Sequence, residues 1–302
     1  PRGARSPRRP PAAALWCKAS WGMGALQGAR FESLDNSPMY DAPEGYALWN
    51  ATTQRMALYD VGQTSAIVWE CEALAALASA LGRDAALVAR LRARRTTLGD
   101  ALQRHMWQPA PLSVFSNTLM NGTAYARIAP TRFYPMLAGV ASDAQASALV
   151  SEWLLDAKRF CVPASAAAWP PPHAAPRLEG QCYWGLPSIS ADDVAYDGDG
   201  GYWRGPTWAP QAFLVFLGLQ RYAHLPAVRS AAEGLVEQQL DLLLSAWRPR
   251  GHVCENYPSM LVPANASTPP RNTTADTVCT GNAFYIWGAL PALAALLHAG
   301  LA

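Results

Sequence analysis

The strongest constraint on this chain is an alternation of nearly uncharged helical segments with amphipathic ones, joined by long loops. Ile67, Cys71, Leu74, Leu77 and Leu81 recur at helical spacing, and Gly82 predicts the end of that helix. Asp84 opens the next element, in which Leu87, Leu91, Leu98 and Leu102 carry the period up to Trp107. Thr131 to Val140 predicts a short apolar helix containing Pro135. Ser142 and Gln145 match a capping box that opens a helix through Leu155. Pro206 to Tyr222 reads as an almost uncharged helix with proline in its first turn, and Pro226 to Trp247 as its amphipathic partner. Asn282 to Ala299 reads as a last, buried helix, and strand signals are confined to weak alternation near Gly122–Ile128. The expected class is therefore all-α. Uncharged helices need cover on every side and amphipathic ones face water on one side, which an α/α toroid satisfies. A helical solenoid is disfavoured, since no repeat is visible at about 34 or 40 residues.

Composition narrows the function classes. Charged residues make up 15% of 302 residues while tryptophan occurs 12 times, which excludes a disordered chain and a charged coiled coil. The net charge of +2 conceals an asymmetry. Residues 1–30 hold Arg2, Arg5, Arg8, Arg9, Lys18 and Arg30 and no acid, leaving 18 bases against 22 acids in 31–302. A mildly acidic body disfavours nucleic acid as a partner. Thr280 to Ala302 carries no charged side chain and is long enough to span a bilayer. Gly281, Asn282, Gly288 and Pro291 interrupt it and no basic residues flank it, so stable membrane insertion is not expected.

Cys17, Cys71, Cys161, Cys182, Cys254 and Cys279 form no C-x-x-C pair. Cys161 and Cys182 bracket a proline-rich loop, Cys254 and Cys279 bracket a second polar insert, and each pair is placed to staple its loop. Cys71 looks like a buried helix residue. Asn50, Asn121, Asn265 and Asn272 open N-x-[ST] sequons, where eight asparagines would give about one by chance. Together these features favour a glycosylated, disulfide-permissive compartment, hence the secretory pathway or the extracellular space.

Polar chemistry gathers in three loop segments. The first, Phe31 to Asp41, holds Glu32, Asp35, Asn36 and Asp41, with Pro38 setting the turn. The second runs from Ser188 through Asp192 and Asp193 to the sequence Tyr202-Trp203-Arg204-Gly205-Pro206-Thr207-Trp208. Indoles stack on the apolar faces of sugar rings, and arginine anchors hydroxyls or a carboxylate. The third is Glu255-Asn256-Tyr257-Pro258. Two carboxylates remote in sequence and joined in a cleft are the minimum for glycoside hydrolysis, one protonating the leaving group and one activating water. Asp197-Gly198-Asp199 lacks the remaining ligands of a calcium loop, so no metal and no cofactor are expected.

The segments ESLDNSPMYD, YWRGPTW, ENYP and FYIWGAL, in that order, resemble glycoside hydrolase family 63. The stretches Pro130–Pro135 and Gly185–Ser190 extend the resemblance, which runs from about Phe31 to the end of the chain. That family includes processing α-glucosidases and mannosylglycerate and glucosylglycerate hydrolases; its catalytic domain is an (α/α)6 barrel and its members invert the anomeric centre. Trehalases of the same clan are a more distant match. By motif, the resemblance implies Asp35 as general acid and Glu255 as general base. It places Trp203, Arg204 and Trp208 on the sugar, joined by Asn36, Tyr202 and Tyr257, with Asp41 in support. The implied activity is inverting hydrolysis of an α-glucoside or α-mannoside, in an oligosaccharide or a glycosyl-glycerate. A non-catalytic carbohydrate-binding remnant, an inactive fragment and a trehalase-like activity are the alternatives. Two departures stand out. Glu32-Ser33-Leu34-Asp35 is one residue shorter than the family's E-S-G-x-D, which unsettles the usual role of Glu32. Residues 1–30 do not read as helices, and about seven helices are countable where an intact barrel has twelve. The expected organisation is thus a Pro/Arg-rich segment over 1–30 and an N-terminally incomplete barrel over 31–302.

Overall fold

The computed structural model describes residues 34–50, 52–53, 55–161, 182, 185–198, 201–257, 259 and 285–301. Residues 1–30, Glu32, Asp199, Cys17, Cys279 and the sequons at Asn265 and Asn272 lie outside the described residues.

Helices dominate. Asp60 caps α1 (Val61–Ala80) by accepting from the Gln63 amide, and the helix stops where Gly82 takes φ +61°. Asp84 then caps α2 (Ala85–His105) through the Ala86 amide, so the two helices form a tightly packed hairpin. A 3-10 turn at Pro130–Phe133 leads into the short α3 (Tyr134–Leu137). Ser142 and Gln145 close their capping box on α4 (Asp143–Leu149), which widens into a π-helix over Val150–Leu154. The second long hairpin is α5 (Ala209–Arg221) with α6 (Pro226–Arg250), and α7 (Leu290–His298) packs against both. Contacts run from α2 through α1 and α3 to α5, then on to α6 and α7, so the helices follow one another side by side.

Four expectations are corrected. The fold is helix-rich but not all-α. Among the described residues there are seven strands of two or three residues: β1 (Trp49–Asn50), β2 (Arg55–Met56), β3 (Leu58–Tyr59), β4 (Trp107–Gln108), β5 (Val114–Phe115), β6 (Asn117–Leu119) and β7 (Ala124–Tyr125). β1 pairs with β2, β4 with β5, and β6 lies between β3 and β7, all antiparallel. Next, α1 is rotated from the leucine stripe. It buries Val61, Thr64, Ser65, Val68, Cys71, Ala75 and Ala78, and leaves Leu74, Leu77 and Leu81 exposed at 51%, 55% and 66%. Small Ala75 and Ala78 admit Val88, Leu87 and Leu91 of α2 at close range, and that packing decides the face. Finally, the C-terminal helix is only half covered, with Leu293, Leu296 and Leu297 exposed on its outer side. The uncharged helix expected from Pro206 begins instead at Ala209, because Thr207 is engaged in backbone bridges to Pro187 and Tyr257.

Two large hydrophobic cores lie among the described residues. The larger lies among the helices, from Val68, Leu98 and Leu102 through Phe133 and Met136 to Phe216, Leu219 and Leu235. The smaller lies beneath the loops and gathers Leu34, Met39, Tyr40, Leu48, Met56, Leu119, Ile189, Trp203 and Trp208. A buried polar network joins loops to helices. Asn117 accepts from the Val61 amide and donates to Asp60 (2.9 and 3.1 Å). Asp60 also accepts from the Tyr40 hydroxyl (3.4 Å). The fully buried Arg132 donates to Asn117 and, at 2.9 Å, to the Arg127 carbonyl. Every member is enclosed, so loss of one strands the others. Asn117→Ala is expected to cost about 3 kcal/mol. Thermal unfolding should read this as a Tm lowered by roughly 5–10 °C, and a Tm within about 1 °C of the parent would contradict it.

Candidate active site

The first polar loop is held by its own turn. The Ser37 amide donates to the Leu34 carbonyl at 2.8 Å, and the Ser37 hydroxyl caps the 3-10 turn Pro38–Tyr40 by accepting from Met39. Leu34, Met39 and Tyr40 sink into the smaller core, which leaves Asp35 and Asn36 half-exposed between the anchors. Asn36 binds the second loop twice: its side-chain amine donates to the Gly201 carbonyl at 3.0 Å, and its oxygen accepts from the Trp203 amide at 2.9 Å. Asp41 makes the second tie. Its two carboxylate oxygens accept from Arg204 at 2.7 and 2.9 Å, in the bidentate form that suits a planar guanidinium. These bonds hold the Arg204 guanidinium above the usual arginine value. Arg127 adds a contact of 3.8 Å to Asp41 and an ion pair of 2.8 Å to Asp193.

The second loop folds over a 3-10 turn at Tyr202–Arg204, entered through Tyr202 at φ +61°. Gly201 and Gly205 flank the turn because a Cβ at either would stand 2.5–2.6 Å from the Asp197 carbonyl oxygen. Gly205 is paired to Ser188 by two hydrogen bonds, which ties in the Gly185–Ser190 stretch. Trp203 and Trp208 stack on each other, with ring centroids 3.6 Å apart and planes within 8°. Tyr202 meets Trp208 edge-on at 4.9 Å, and the Trp208 indole donates to the Tyr202 carbonyl. Both indoles are buried, so their faces are spent largely on one another.

Glu255 arrives by backbone pairing. Thr207 and Tyr257 exchange two main-chain hydrogen bonds of 2.7 and 3.0 Å, which lays the third segment alongside the second. The Tyr202 hydroxyl then donates to Glu255 Oε1 at 3.0 Å. Burial, followed by that bond and the charges of Glu255 and Asp35, pushes the Tyr202 hydroxyl far above the ordinary tyrosine range, so it keeps its proton at neutral pH. Tyr202 thus bonds Glu255 and also senses the charge of Asp35. Tyr257, expected against the sugar, is wholly buried, and burial pushes its hydroxyl up to about 12. Its ring anchors the segment that carries Glu255, which corrects its placement as a contact residue.

The sequence reading missed Tyr285 and Trp287. Trp287 donates to the Glu255 carbonyl at 3.0 Å and stacks at a tilt on Tyr285, with centroids 4.6 Å apart. Gly288 allows this approach, since a Cβ there would collide with the Cys254 carbonyl oxygen. The signal was the FYIWGAL segment itself, which carried the resemblance but was assigned no role. Arg127 was missed as well, lacking any motif. Among the described residues no three His, Cys, Asp or Glu side chains gather as metal ligands. The acidic stretch is engaged by arginines, Asp192 with Arg159 and Asp193 with Arg127. No helix among the described residues is long and apolar enough to cross a membrane. Cys161 and Cys182 are joined in a disulfide, Cys254 is also disulfide-bonded, and Cys71 is a buried thiol.

Comparison with known proteins fits this arrangement. The sequence matches the family model of the mannosylglycerate hydrolase MGH1-like glycoside hydrolase domain over residues 21–257. No curated protein matches it. A solved structure of the family 63 mannosylglycerate hydrolase from Thermus thermophilus, in complex with Tris, superposes with a TM-score of 0.56 at 19% identity, covering 78% of this chain and 45% of that one. The same hydrolase in complex with glucose gives 0.55 at 21% identity, with the same coverage. Neutral trehalase Nth1 from Saccharomyces cerevisiae gives 0.57 at 14% identity, covering 91% of this chain and 42% of that one. The chain spans a little under half the length of these structures. With the family match extending over most of its residues, the chain belongs to the mannosylglycerate hydrolase MGH1-like glycoside hydrolases, within glycoside hydrolase family 63.

Proposed function

We propose that residues 31–302 belong to the catalytic domain of an inverting α-glycosidase, and that its helices are an arc of an (α/α)6 barrel. The substrate is an α-glucoside or α-mannoside, in an oligosaccharide or a glycosyl-glycerate. The observation that supports this reading is the joining of the Asp35 loop to the Tyr202–Arg204 turn through Asn36, together with the Tyr202 bond to Glu255, 220 positions from Asp35.

In this reading Asp35 gives its proton to the glycosidic oxygen as the bond to the anomeric carbon breaks. Glu255 takes a proton from the water that attacks the opposite face, so an α-glycoside yields a β-hemiacetal. The carboxyl groups of such a pair stand about 6.5–9.5 Å apart, leaving room for the water. Tyr202 orients the Glu255 carboxylate through the 3.0 Å bond that its hydroxyl donates. Arg204 faces the sugar while Asp41 fixes its plane, and the half-exposed rings of Tyr202, Tyr285 and Trp287 offer stacking surface.

The reading is tested by hydrolysis of a panel of α-glucosides, mannosylglycerate, glucosylglycerate and trehalose, with the first product anomer followed by NMR. From the glucosides and glycosyl-glycerates the transferred sugar should appear first as its β anomer, and trehalose should give β-glucose beside the α-glucose of the leaving half; transferred sugar released as the α anomer would refute inversion. Asp35→Asn and Glu255→Gln should each lower kcat by about 10²–10⁴-fold, and full turnover in either variant would sink the assignment. Tyr202→Phe removes the hydroxyl that orients the Glu255 carboxylate and should lower kcat about tenfold. A kcat equal to the parent's would show that the Tyr202 bond does not position the base.

A further inference from the structure

Two of the four sequons lie among the described residues, and both sit at hairpin tips. Asn121 lies in the connection between β6 and β7, where the Gly122 amide closes onto the Leu119 carbonyl and Gly122 takes φ +90°. Asn50 ends β1, at the connection to β2. Asn50, Asn121 and the sequon threonines Thr52 and Thr123 are all exposed. The Asn121 side-chain oxygen accepts from the Thr123 amide at 3.0 Å, so the amide plane is fixed by the sequon's own backbone. The Asn50 oxygen is held in the same manner by the Thr53 amide at 2.9 Å. Both bonds use the oxygen and leave the amine, the atom to which a glycan is joined. Tyr46 braces the two hairpins, accepting from the Met120 amide and donating to the Ala57 carbonyl.

The cysteines give an independent indication of compartment. Of the four described, Cys161, Cys182 and Cys254 are disulfide-bonded and only the buried Cys71 is a thiol. Structural disulfides persist in oxidising compartments, which are also where N-linked glycans are added.

We propose that Asn121 and Asn50 are N-glycosylated and that the protein passes through the secretory route. The donor is a lipid-linked diphosphate oligosaccharide. The asparagine Nδ2 forms a bond to the first sugar's C1 as the C1–O bond to the diphosphate breaks; the lipid diphosphate leaves with the electron pair and the amide loses a proton. Neither site is buried, so the glycans stand outside both cores.

The test uses protein isolated from its native cells. Peptides are treated with an N-glycosidase in heavy-oxygen water and read by mass spectrometry. Asn121 and Asn50 should both return as oxygen-labelled aspartate, and an unmodified asparagine at either position overturns the assignment there. On gels of protein expressed through a eukaryotic secretory route, Asn121→Gln and Thr123→Ala should each remove one glycan step, while Thr123→Ser keeps it. Thr123→Ala leaves the asparagine in place, so loss of the step cannot come from the residue itself. A parent chain whose mobility is unchanged by deglycosylation would overturn the proposal.

Discussion

The junction between Asn36 and Asp41 on one loop and Gly201, Trp203 and Arg204 on another is the constraint on which the site depends. The partners lie more than 160 residues apart, and among the described residues each loop carries a single 3-10 turn, Pro38–Tyr40 and Tyr202–Arg204. Loops of this kind carry a large conformational entropy, so they hold one geometry only if several directional bonds act together. Here two neutral hydrogen bonds fix the backbone of the turn, and a bidentate ion pair fixes the side chain that follows it. Arg127 and Asp193 extend the pair into a short alternation of charge. In a chain with so few charged residues, four of them gather at this one place, partly open to water.

The rest of the arrangement follows from that junction. The smaller core forms because both loops drop apolar anchors into the same space, Leu34, Met39 and Tyr40 from one and Trp203 and Trp208 from the other. The stacked indoles give the second loop a rigid floor, and the Thr207–Tyr257 pairing then fixes Glu255 relative to that floor. Trp287 closes the far side by holding the Glu255 carbonyl. The helical core contributes at one place above all, through Asp60, Asn117 and Arg132, where the start of α1 meets the loop that carries Tyr40.

Much of this was legible beforehand where a residue acts on its sequence neighbours. Asp84 and the Ser142–Gln145 pair marked helix starts, Gly82 marked an end, and the bracketing cysteines 161 and 182 marked a staple. Legibility failed where distant packing decides. The leucines of α1 follow a helical period, but the close fit of Ala75 and Ala78 against α2 chose another face. Two-residue strands carry almost no period to read, so the hairpin at Asn50 stayed hidden and the one at Asn121 showed only as weak alternation near Gly122–Ile128. Trp203 and Trp208 look like free sugar platforms in a motif, yet indoles five positions apart stacked on each other. Tyr257 looked like a contact residue because it lies two positions from Glu255, but its main-chain pairing with Thr207 sets its ring in the interior. Tyr202 shows the reverse: only the fold reveals that a residue of the sugar loop bonds the carboxylate of another segment.

Asp41 and Arg204 act as one unit joining the two loops, and a double-mutant cycle measures this directly. Thermal or denaturant unfolding would be compared for the parent, Asp41→Asn, Arg204→Gln and the double variant. The account predicts that the double variant is no less stable than the worse single one, with a coupling of about 1 kcal/mol or more. Losses that add to within about 0.3 kcal/mol would show that the two side chains act independently, and would contradict it.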